Sequence, residues 1–109
     1  MQMTTIKTRP FDIATMRITP AQVDLITGSI RRHLGRSARI WLFGSRLDDR
    51  KRGGDLDLYV EADPQPILEA VRCKVELEAQ LDLPVDLVVR GRDDASPIAL
   101  IAKLEGRRL

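Results

Sequence analysis

The sequence predicts a small α/β fold of the α+β kind, a mixed three-stranded sheet with helices packed on one face. Three observations carry that expectation. Two polar-plus-proline steps, Thr19-Pro20 and Ser96-Pro97, read as helix N-caps with proline at the first helical position. Apolar residues after each step recur at helical spacing. Three short apolar runs, Ile40 to Phe43, Leu56 to Val60 and Val85 to Val89, read as strands.

Residues 1–18 form a polar leader, with a short extended piece expected around Phe11 to Met16, and residues 19–109 form the domain. The first helix carries Val23, Ile26, Ile30 and Leu34 on one stripe, with Gly35 as its stop. The strand Ile40-Trp41-Leu42-Phe43 ends at Gly44, and a charged connection over 46–54, opening with a helical turn, leads to the second strand. Asp63-Pro64-Gln65-Pro66 opens another helix, whose stripe is Leu68, Val71, Val75 and Ala79. The third strand follows the break at 82–84, and the last helix runs through Ile98, Ile101 and Leu104 to Gly106.

At 109 residues the chain holds one modest core and leaves no room for a second catalytic domain. Apolar residues at 43% and charged residues at 31% describe a soluble globular protein. No apolar run approaches the roughly 20 residues needed to cross a bilayer, and the leader lacks a secretory stretch, so a cytoplasmic location is expected. Eighteen basic residues face sixteen acidic ones, a net charge of +2 that disfavours nucleic acid as the partner. The clusters Arg50-Lys51-Arg52 and Arg107-Arg108 have no interleaved aromatics and read as solvated loop and tail charges. A lone Cys73 excludes a disulfide framework and a multi-cysteine zinc site.

The chemistry concentrates in three acidic residues. Asp55 and Asp57 alternate with Leu56 and Leu58, and Asp86 sits between Val85 and Leu87. A carboxylate in an apolar strand is costly to bury without a partner. Strand alternation turns Leu56, Leu58 and Val60 to the helices and Asp55, Asp57 and Tyr59 to the other face. Two residues along a strand span roughly 6.5–7 Å, so both carboxylates can converge on one metal ion or two adjacent ones. Asp86 joins them if its strand is a neighbour. Hard oxygen ligands select Mg2+, with Mn2+ the alternative, and Mg2+ sites usually include substrate phosphates. Two such ions stabilise an in-line displacement at phosphorus, with Asp55 and Asp57 bridging them and Asp86 completing the site nearer the nucleophile.

Gly44 lets the backbone approach phosphate oxygens, and Ser45 adds a hydroxyl donor at the start of the turn. Arg46 is either a triphosphate contact or a surface residue. Other candidates have plainer readings. His33 is a capping or surface residue, Cys73 a small packed or partly exposed side chain, and Trp41 and Phe43 core. Tyr59 either touches a nucleotide or packs within the sheet, and Asp48 and Asp49 belong to a solvated loop.

These pieces together resemble a known family. Leu42-Phe43-Gly44-Ser45-Arg46, Gly54-Asp55-Leu56-Asp57-Leu58-Tyr59-Val60 and Val85-Asp86-Leu87-Val88 are similar to the three motif blocks of the polymerase-beta-type nucleotidyltransferase superfamily. In length and layout the chain resembles the minimal nucleotidyltransferases, from about residue 20 to its end. The resemblance implies the polymerase-beta-like fold, Gly44 and Ser45 on the triphosphate, Asp55 and Asp57 on both metal ions, and Asp86 as the third carboxylate. It also implies ATP as donor and AMP transfer to a tyrosine of a helical HEPN-type toxin, making the chain an antitoxin. Two alternatives stay open: an antitoxin that neutralises its partner by binding alone, and nucleotidyl transfer to a small molecule or RNA.

Overall fold

The computed structural model describes residues 18–44 and 56–109. Residues 1–17 of the leader, Ser45, Arg46, the connection over 46–54 and Asp55 lie outside the described residues. The elements are α1 (Pro20–Leu34), β1 (Arg39–Phe43), β2 (Leu56–Glu61), α2 (Ile67–Leu81), β3 (Val85–Arg90), α3 (Pro97–Glu105) and β4 (Arg107–Arg108).

Helix α1 starts as its sequence dictates. Thr19 Oγ1 accepts from the Gln22 amide and Gln22 Oε1 accepts from the Thr19 amide, a capping box that satisfies two otherwise orphaned donors. Its aliphatics Ile26, Ile30 and Leu34 are buried, as the stripe predicts. The strands order as β3-β2-β1-β4. Strand β1 pairs antiparallel with β2 and β4, and β2 pairs parallel with β3. The α/β fold class is therefore as expected, with one more strand than the sequence suggests. Arg107 and Arg108, expected as tail charges, form that fourth strand. Gly106 makes it reachable, because a Cβ there would lie 2.8 Å from the Leu42 carbonyl oxygen.

Two expectations about helix faces need correction. Leu68, Val71, Val75 and Ala79 of α2 are all exposed, and the helix instead buries Cys73 and Leu77, with Ala70 and Leu81 beside them. The helices also do not share one face. Helices α1 and α2 cover Ile40, Leu42, Leu56, Leu58, Val60 and Val85, whereas α3 lies on the opposite side with Trp41 and Tyr59. The physical reason is the pair of aromatics, whose large apolar surfaces would otherwise face water on the carboxylate side. Contact with the aromatics falls to Ala99 and Ala102, while Ile101 and Leu104 point outward. Among the described residues, no helix is long and apolar enough to cross a membrane.

Candidate functional site

The side of the sheet away from α1 and α2 is built as three cross-strand rows. Register places Phe43 opposite Asp57 and Asp57 opposite Asp86. The next row is Trp41, Tyr59 and Val88, and the third is Arg39, Glu61 and Arg90. Period-two alternation on β1, β2 and β3 produces all three.

The carboxylate row is the candidate site. Asp57 and Asp86 are direct neighbours on parallel strands about 4.8 Å apart, on the same face. Asp57 is half-buried and Asp86 exposed. Gly44, just past the end of β1, has φ +85°, a left-handed conformation that favours glycine. A Cβ at this position would lie 2.9 Å from Asp57 Cγ and closer still to its Oδ2. The turn backbone and a strand carboxylate therefore meet with no room for a side chain between them. Of the residues singled out by sequence, Gly44, Asp57 and Asp86 are brought together. Ser45, Arg46 and Asp55 lie outside the described residues. Among those described, no group of three or more acidic, histidine or cysteine residues is gathered for a metal.

Like charges set opposite each other on a sheet repel. A pair of hard carboxylate oxygens in that position suits a divalent cation, which turns the repulsion into shared coordination. The fit rests on Asp57 and Asp86, with Gly44 leaving open the approach from the turn.

Sequence reasoning missed Glu61. It is fully buried, with Tyr59 donating its hydroxyl to Glu61 Oε2 at 2.8 Å and Lys103 Nζ at 2.5 Å from the same oxygen. Arg39 Nη2 lies 3.2 Å from Oε1 and also pairs with Asp93 at 3.6 Å. Burial would push the Glu61 carboxyl upward, but the hydrogen bonds from Lys103 and Tyr59, with the charges of Lys103 and Arg39, hold it below its ordinary value. Burial, then Glu61, pushes the Tyr59 hydroxyl well above the usual phenol range. Tyr59 thus serves packing: it is fully buried, 5.7 Å from Trp41 between ring centroids. Lys103 and Arg108 sit over the Trp41 ring at 5.5 and 5.0 Å. The available signal was alternation itself, since Glu61 continues the series 57, 59, 61.

The remaining candidates belong to the helix layer. His33 sits between α1 and α2, its Nδ1 3.2 Å from Glu69 Oε1 and its Nε2 2.9 Å from Glu76 Oε1. The hydrogen bond to Glu76 raises the imidazole against the opposing effect of burial, helped by Glu69. Glu76, which also pairs with Arg32, is held down to about 2, first by His33 and then by Ser29. Cys73 is buried with its sulfur 3.9 Å from Ser29 Oγ, and burial pushes its thiol up.

No family model matches the chain, and no curated protein matches it. Solved structures do. The chain is similar to a mutant of the toxin–antitoxin complex MntA–HpeT at 26% identity and TM-score 0.61, over 80% of this chain and 69% of that one. It is similar to the toxin–antitoxin complex MntA–HepT at 23% identity and TM-score 0.62, over 83% and 70% of the two chains. A third match is a tri-AMPylated HEPN toxin in complex with MNT antitoxin from Shewanella oneidensis, at 24% identity and TM-score 0.61 over 81% and 68%. The structural neighbours are thus minimal nucleotidyltransferase antitoxins solved with HEPN toxins, and the fold is theirs.

Proposed function

We propose that this chain is a metal-dependent nucleotidyltransferase that moves AMP from ATP onto a HEPN-type toxin and so acts as its antitoxin. The observation that carries the reading is the meeting of Gly44 with Asp57, beside Asp86 in register. A phosphate-approaching turn and a carboxylate pair on one sheet face are the parts phosphoryl chemistry needs. The likeness to antitoxins solved with HEPN toxins, one of them AMPylated, supports the choice of acceptor.

Asp57 and Asp86 would hold Mg2+, together with Asp55 if it follows the same alternation. When bound, the metal supplies charge neutralisation at the triphosphate and at the departing pyrophosphate. The chain's own residues do the rest. Gly44 admits the triphosphate to the end of β1, and Ser45 and Arg46 contact it. Asp86, exposed at the outer strand of the three, takes the proton of the acceptor hydroxyl. The acceptor oxygen bonds to the α-phosphorus as that atom's bond to the bridging oxygen breaks. Pyrophosphate leaves with the electron pair.

The test is incubation of the chain, Mg2+ and α-labelled ATP with its HEPN partner. Label should appear on the partner and vanish with Asp57→Ala. Neutralisation of the toxin that persists without ATP and in the Asp57→Ala variant would show that binding alone suffices.

A further inference from the structure

Helix α3 is held to the sheet by little that is apolar. It is nine residues long, too short to be stable by itself. Its buried side chains are two alanines, Ala99 and Ala102, and its larger aliphatics Leu100, Ile101 and Leu104 face outward. Ser96 at its start makes no side-chain capping bond. Burial of two methyl groups is non-directional and does not by itself fix where the helix sits along the strands.

The directional contact is ionic. Lys103, in the last turn of α3, places Nζ 2.5 Å from Glu61 Oε2, and Tyr59 donates to the same oxygen at 2.8 Å. Glu61 is fully buried on β2, and its other oxygen has Arg39 Nη2 at 3.2 Å. A buried ion pair contributes little net stability, because desolvation offsets the attraction. Its geometry is demanding, however, because a displaced partner leaves a buried charge uncompensated. The pair therefore acts on position more than on stability.

That position reaches the carboxylate row through contacts without slack. Gly106, which caps the same turn, donates its amide to the Ala102 carbonyl at 2.8 Å. A Cβ at Gly106 would lie 2.8 Å from the Leu42 carbonyl oxygen and 3.3 Å from Phe43 Cβ, so the end of α3 rests directly on the end of β1. Gly44 follows Phe43, and a Cβ there would lie 2.9 Å from Asp57 Cγ. Close-packed contacts of this kind pass a displacement on instead of absorbing it. Asp57 itself stands four residues before Glu61 on β2, roughly 13 Å away and out of direct contact.

We propose that Glu61, acting through Lys103, is a positioning residue for the candidate site: it fixes α3 along the sheet, and the end of α3 holds the Gly44 turn against Asp57. The activity readout of this inference rests on the nucleotidyl-transfer reading above. Arg39 provides the internal control, because it pairs with the same carboxylate but stands on β1 and not on α3.

The experiment compares Glu61→Gln/Lys103→Met with Arg39→Met and wild type, with the HEPN toxin as acceptor. The double variant removes both charges while keeping an acceptor for Tyr59 and an unbranched side chain over Trp41. Its melting temperature should stay within a few degrees of wild type or rise. Its kcat per folded molecule at saturating Mg-ATP and toxin should fall about tenfold or more. Nitrogen–proton correlation spectra of the chain alone give a readout independent of turnover. The Gly44 amide signal should move in the double variant, and that of Gly28 on α1 should not. Arg39→Met should lower the melting temperature while leaving kcat and the Gly44 signal unchanged. Either an unchanged kcat or an unmoved Gly44 signal in the double variant would overturn the assignment. So would an equal fall in kcat in Arg39→Met, or a double variant that does not fold, since the pair would then hold stability and not position. If the wild type binds Mg-ATP without labelling the toxin, the transfer reading fails alone and the Gly44 signal still decides the positioning role.

Discussion

The two faces of this sheet come from one alternating pattern and serve opposite ends. On the α1–α2 side, Ile40, Leu42, Leu56, Leu58 and Val60 are closed under two fifteen-residue helices. On the other side, a nine-residue helix covers only part of the surface, over an aromatic row and a charged row. The carboxylate row at the end of that face is left partly open. The first face supplies burial, and the second uses the rigidity so gained to hold like charges together. A chemical site can be repulsive when its support is paid for elsewhere.

Adjacent residues on β2 should break this comparison most sharply. Asp57→Ala should lower nucleotidyl transfer by about a thousandfold while leaving the melting temperature within a few degrees. Leu58→Ala, one residue on and fully buried against the helices, should cost about 2–5 kcal/mol of stability by urea unfolding. Its folded fraction should keep the wild-type transfer rate. A Leu58 variant that folds and fails to transfer would mean that the two faces are not separable.

Glu61→Ala should have the next largest effect. It strips a buried anion from Lys103, Arg39 and Tyr59 and loosens α3 on the sheet. Both cations retain about a third of their exposure, so they recover part of their hydration. The expected loss is about 2 kcal/mol rather than the full cost of a deeply buried charge. Glu61→Gln, which keeps the acceptor for Tyr59, should lose less. Equal losses would put the effect in side-chain shape instead of charge.

Glu61 also shows what the sequence makes legible. The order of the first three strands and the helices, and the faces of Asp57 and Asp86, follow from periodicity and capping, whereas their pairing depends on β2 and β3 being neighbours, which periodicity does not specify. Helix α1 is read correctly down to its buried side chains, because its large aliphatics face inward. Helix α3 inverts that rule, with Ile101 and Leu104 outside and Ala99 and Ala102 inside, and α2 does so in part, turning Val71 and Val75 out while it buries Cys73 along with Leu77. Size-weighted periodicity selects the outer stripe, whereas the close approach of helix to sheet selects small residues. A terminal glutamate reads as solvated until a helix lysine is known to cover it, and Arg107-Arg108 reads as a tail until β1 is known to offer an open edge.

Gly44→Ala should come third. Its positive φ and the Asp57 carboxylate both oppose a Cβ, so a loss of about 1–2 kcal/mol is expected. Transfer should fall further than stability, because the displaced group is the carboxylate. Normal transfer in a folded Gly44→Ala chain would argue that Asp57 need not sit against the turn.

The smallest effect separates the faces by pH. In the folded state His33 is raised above its ordinary 6.5 by Glu76 and Glu69, so its contribution is complete below that value and is lost as pH climbs through the raised one. Glu76, lowered from 4.5 to about 2, contributes above 4.5 and loses its share as pH falls through about 2. Glu61 is lowered as well and keeps its charge across the whole neutral and alkaline range in which His33 loses its proton. Raising pH from roughly 6 to 9 should therefore weaken the α1–α2 layer and spare the α3 face. For a partly exposed cluster the difference should stay under about 1 kcal/mol. Melting curves of wild type and His33→Gln should converge as pH rises, and those of Glu61→Gln should stay parallel to wild type. Parallel curves for His33→Gln would mean that the imidazole carries no charge in this layer, leaving packing and the Arg32–Glu76 pair to join α1 to α2.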